Sequence, residues 1–139
     1  MFTFFGLFAD PVSDLSLRIS QVWPSLHVIR LEEPISAIAV RFGRDHYEPE
    51  REDMPMPVVR ATEQISIDIP TARFLLLRTE CYGGGDDCAN WGQIIQNGST
   101  IFQAEGDGAL RRLIECWGVD IGPKEIFEPL SRSFVWDKN

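Results

Sequence analysis

The apolar run Phe74-Leu75-Leu76-Leu77 leads through Arg78-Thr79-Glu80-Cys81-Tyr82 into three consecutive glycines, Gly83, Gly84 and Gly85, and then into Asp86-Asp87. So dense an apolar run reads as a strand buried on both faces, here spanning residues 73–79. Its exit through glycines is a shaped turn, because glycine tolerates positive φ and lets backbones approach closely. After Cys88 the chain resumes as a strand candidate at residues 91–96, turns at Asn97-Gly98 and returns through residues 99–103. A type I′ turn needs positive φ at both central residues, which is why Asn-Gly is the clearest hairpin signal in the chain.

The rest of the chain is organised around that core. Residues 2–9 form an apolar first strand. Val12, Leu15, Ile19 and Val22 recur at helical spacing, with Ser13 or Asp10 available as a cap and Trp23-Pro24 as the stop. Residues 26–31 and 35–42 read as strands on either side of Pro34. Residues 43–57 hold Asp45, Glu48, Glu50, Glu52 and Asp53 with prolines at 49, 55 and 57, which predicts a long exposed acidic loop. Ile65, Ile67 and Ile69 alternate with Gln64, Ser66 and Asp68, the pattern of a half-buried strand over residues 63–69. Leu110, Leu113, Ile114 and Trp117 mark a second helix, with Asp107 as its cap and Gly118 as its stop. A tail with Pro123, Phe127, Pro129 and Trp136 packs back on the sheet, with a last strand over residues 133–136. The expected architecture is one α+β domain over residues 1–139: a mainly antiparallel sheet of about six strands with two short helices packed on one face.

Charge narrows the function. Thirteen basic against 21 acidic residues give −8, and only Lys124 and Lys138 are lysines. Such a chain repels phosphate backbones, which argues against nucleic acid as a partner. An acidic surface instead attracts basic partners and speeds their association, although solubility alone also explains it. The apolar opening, residues 1–9, has no basic residue before it and is too short to span a bilayer. No membrane partner is expected, and with no secretion signal the expected compartment is the cytoplasm. There, Cys81, Cys88 and Cys116 are expected to be thiols, since three cysteines do not make a paired framework. Oligomeric state is left open.

Candidate chemistry is sparse. Cys81, Asp86, Asp87 and Cys88 are usable metal ligands, but six residues separate the cysteines and no histidine is near, so no metal site is expected. Either cysteine with His27 or His46 can be written as a dyad, but no spacing supports it. No nucleophile elbow, phosphate loop or dinucleotide fingerprint is present, and Gly83-Gly84-Gly85 lacks the lysine of a phosphate cradle. No cofactor is expected. Glu80 with Asp86 or Asp87 would be the acid and base of a small hydrolase, a reading that exposed turn acids make less favoured. Trp91, Trp117, Phe102, Phe127 and Trp136 lie on apolar faces and read as core, whereas Tyr82 beside acids on a shaped turn suits a protein interface.

The segment Leu77-Arg78-Thr79-Glu80-Cys81-Tyr82-Gly83-Gly84-Gly85, with Cys88, Trp91-Gly92 and the Asn97-Gly98 hairpin, resembles small bacterial immunity proteins of polymorphic-toxin and contact-dependent growth inhibition systems. The likeness covers about the last half of the chain, with Asp86-Asp87-Cys88 standing where that pattern has a further glycine and a glutamine. It implies a cytoplasmic, non-catalytic inhibitor of one cognate toxin domain, often a nuclease and therefore basic. The glycines would then be architectural. The expected contact residues are Glu48, Glu50, Glu52 and Asp53 on the long loop, Asp86 and Asp87 at the glycine turn, and Tyr82 as an anchor. A different class of function, a small-ligand module with a pocket between sheet and helices, is the alternative.

Overall fold

A computed structural model describes residues 2–47, 54–82 and 88–136. The elements are β1 (Phe2–Ala9), α1 (Leu15–Val22), β2 (Ile29–Leu31), β3 (Ala37–Arg41), α2 (Met56–Asp68), β4 (Phe74–Cys81), β5 (Cys88–Gln96), β6 (Ser99–Glu105) and α3 (Ala109–Glu115), followed by a 3-10 turn at Glu128–Leu130. The strands form one six-stranded sheet in the order β2-β3-β1-β4-β5-β6, with antiparallel pairing throughout. The chain is thus an α+β fold on an antiparallel sheet. Where two helices on one face were expected, the described residues hold three, α1 and α2 on one face and α3 on the other.

The central strands explain the unbroken apolar runs. In β1, Phe5, Leu7 and Ala9 face α1 and α2, while Phe4 and Phe8 face α3 and the tail. β4 does the same, with Phe74 and Leu76 on the first face and Leu75 and Leu77 on the second. A strand buried on both sides has no polar alternation to display. β5 crosses β4 closely at Gly92, where an added Cβ would lie 2.7 Å from the Leu76 carbonyl oxygen.

The largest departure from the sequence pattern is α2. Residues 63–69, read as a strand, lie almost wholly inside a helix that begins at Met56. Its buried residues are Val58, Val59, Thr62, Ile65 and Ser66, a helical spacing, whereas Ile67 is 52% exposed. The alternation of Ile65, Ile67 and Ile69 was coincidental to a 3.6-residue period. Pro57 also belongs to the helix, in the first turn, where a missing N–H costs nothing. The loop therefore ends before 56, and residues 48–53 lie outside the described residues.

Smaller corrections have legible causes. Neither Ser13 nor Asp10 caps α1, whose cap position is Asp14 with φ 69°. The Asp10 carboxylate is instead committed to Arg73, accepting from its backbone N–H, Nε and Nη2 at 2.7, 2.8 and 2.7 Å. Asp107 does not cap α3, whose cap position is Gly108. Glu125 reaches back from the tail to accept the Arg111 N–H at 3.1 Å. β2 and β3 are shorter than residues 26–31 and 35–42. Residues 133–136 do not form a strand; Phe134 and Trp136 cover the sheet by ring packing, with Trp136 5.4 Å from Phe4 and 6.1 Å from Phe8.

Candidate functional site

The two ends of the sheet differ in character. At one end the β5–β6 hairpin turns as expected at Asn97 and Gly98, with φ 49° and 81°. That turn is pinned to α2: the Gly98 N–H donates to Ser66 Oγ at 2.8 Å, and Gln96 Nε2 donates to the carbonyls of Pro70 and Thr71. Asn97 and Gly98 are architectural.

Tyr82 lies at the opposite end, directly after β4. Arg78 and Glu80 share one face of β4, 1% and 4% exposed, and pair at 3.3 Å. The Arg78 guanidinium lies 5.2 Å from the Tyr47 ring and 5.3 Å from that of Trp91, its cross-strand neighbour. Glu80 also accepts the Tyr82 hydroxyl at 2.6 Å, while the Tyr82 side chain remains 45% exposed. A buried ion pair thus holds the hydroxyl of an exposed aromatic ring. The signal for this was present in the sequence: two opposite charges at i and i+2 of a strand share a face, and inside a buried strand they must pair.

The other face of the same sheet end carries an open cleft of about 1400 Å³ between β4, β5, the start of α3 and the tail. Phe2, Leu110 and Phe127 line it, its floor is polar where Thr79 Oγ1 donates to Asn90 Oδ1 at 2.7 Å, and charges of both signs, Lys124 and Arg132 with Asp107 and Glu128, stand around it. Cys81 and Cys88 form part of its wall, joined by a disulfide. The expectation of three thiols is therefore corrected: β4–β5 register sets these two residues opposite each other, and only Cys116 is free. Cys116 is partly buried, and that burial pushes its thiol up, outweighing the nearby Arg73 guanidinium.

Of the residues expected at a contact surface, Tyr82 alone is described. Glu48, Glu50, Glu52, Asp53, Asp86 and Asp87, with the turn glycines Gly83, Gly84 and Gly85, lie outside the described residues. Among the described residues the chemistry considered for a hydrolase is not assembled; Asp86 and Asp87, the expected partners of Glu80, lie outside them. Glu80 is engaged by Arg78 and Tyr82, Cys81 and Cys88 have no thiol to offer, His46 packs tilted against Phe42 and His27 is exposed elsewhere. Among the described residues no three His, Cys, Asp or Glu side chains gather as metal ligands, and no helix is long and apolar enough to cross a membrane.

Compared with known proteins, the chain matches no family model, no curated protein and no solved structure.

Proposed function

We propose that this chain is a non-catalytic binding protein that neutralises a basic bacterial toxin domain, a nuclease being the leading kind. The observation that carries the reading is Tyr82: an exposed ring whose hydroxyl is tied to buried Glu80, so little freedom is left to lose on binding. A net charge of −8 supplies attraction to a basic partner, and the anchor supplies residence time. The likeness to immunity proteins in residues 77–98 supports the same reading. Cytoplasmic residence follows from that likeness.

The test is co-expression with the domain encoded immediately upstream of this chain's gene. Survival of cells that the domain alone kills is the expected result; unchanged killing overturns the reading. The cleft favours a second reading, a small-ligand module, which predicts a ligand-dependent rise in unfolding temperature in a metabolite screen.

A further inference from the structure

We propose that the Cys81–Cys88 bond is a reversible thiol–disulfide exchange site that latches one end of the sheet and is opened by dithiol reductants while the fold stays intact. The inference stands apart from the identity of any partner. Its first support is position. The bond joins the last residue of β4 to the first of β5, only seven residues apart in sequence. A short closed loop restrains the unfolded chain less than a long one does, so the domain leans on this bond less than on a bridge between distant segments. Pairing of β4 with β5 continues without it, from Glu80↔Ala89 down to Phe74↔Ile95.

Access is the second support. Cys88 is exposed and Cys81 half-buried, and both border the open cleft. An incoming thiolate therefore meets Cys88 Sγ first. It forms a mixed disulfide there and expels Cys81 Sγ as a thiolate, which takes up a proton. The second thiol of the dithiol then displaces Cys88 Sγ, so the dithiol is oxidised by two electrons and the protein gains two thiols. Cys116 does not intervene. Its backbone carbonyl accepts from Arg73, just before β4 begins, roughly 23 Å of strand away from Cys81. Its thiol is also held protonated by burial.

Opening the latch has a defined consequence. Tyr82 follows Cys81 directly, and the disulfide is part of the cleft wall, so both features of this sheet end loosen together while the pinned hairpin at Asn97 and Gly98 does not.

The experiment uses the full purified chain, oxidised, with dithiothreitol as the probe. Thiol counting under denaturant is expected to find Cys116 alone before reduction and all three cysteines after it. Reduction is expected to reach completion under native conditions. Amide exchange at Glu80, Tyr82 and Ala89 should then accelerate about tenfold or more, with Leu75, Leu76, Ile94 and Ile95 unchanged. The double variant Cys81→Ser/Cys88→Ser should reproduce the reduced pattern with or without reductant. Three thiols before reduction, a bond that yields only in denaturant, loss of protection throughout the sheet, or unchanged exchange at the sheet end would each overturn the proposal.

Discussion

Arg78 and Glu80 show how much one pair of residues decides at this sheet end. Both charges are withdrawn from water, so truncating one leaves the other desolvated. Arg78→Ala should therefore lower stability by about 3 kcal/mol in urea unfolding, and the paired replacement Arg78→Met/Glu80→Gln should recover more than half of that loss. A loss below about 1 kcal/mol would mean that the pair is not the anchor described. A milder electrostatic effect operates at Asp120. Its carboxylate accepts the Gly122 N–H at 2.8 Å and lies beside Arg111, and these hold it below the usual carboxylate range, the Gly122 bond first. A depressed folded-state value favours the native state above the ordinary carboxylate value, and that contribution disappears as pH falls through the depressed one. An NMR titration should find Asp120 shifted down, and Arg111→Gln should raise it only part of the way, since the backbone donor remains.

Among the elements, α2 carries the sharpest discrimination. On a strand, Ile65 and Ile67 would share a buried face; in the observed helix Ile65 is fully buried and Ile67 half-exposed. Ile65→Ala should cost about 2–4 kcal/mol and Ile67→Ala under about 1 kcal/mol. Equal costs would contradict the helix. The error at this element has a physical source. β-branched residues at every second position imitate a strand locally, and only packing of Val58, Val59, Thr62 and Ile65 against the sheet selects the helix. Where pattern and packing agree, the sequence was legible: β1 and β4 from their unbroken apolar runs, the β5–β6 hairpin from Asn97-Gly98, α3 from Leu110, Leu113 and Ile114. The site was less so. Tyr82 was visible as an aromatic beside acids, but the cleft and the Cys81–Cys88 pairing exist only once β4 and β5 are in register, and the Arg78–Glu80 partnership needed β4 to be recognised as reaching Cys81. Helix caps were misassigned because Asp10 and Glu125 serve partners distant in sequence, Arg73 and Arg111.

The whole molecule divides its labour between the two ends of one sheet. One end is fastened: Ser66 and Gln96 tie the hairpin to α2 and its connection, and Arg73 ties the start of β4 to Asp10, to the Cys116 carbonyl and to the Trp117 ring. The other end carries the exposed Tyr82, the cleft and the disulfide. On the proposed reading, this second end is the one that meets a partner. On this account, charge sets how fast a basic partner arrives and Tyr82 sets how long it stays. The most direct test is calorimetric titration of the upstream-encoded domain into the wild-type chain and into Tyr82→Ala, at about 50 and 300 mM salt. The account predicts tight one-to-one binding that weakens with salt, and a loss of about tenfold or more for Tyr82→Ala with its unfolding midpoint nearly unchanged. Absence of binding, or binding indifferent both to salt and to Tyr82, would contradict it.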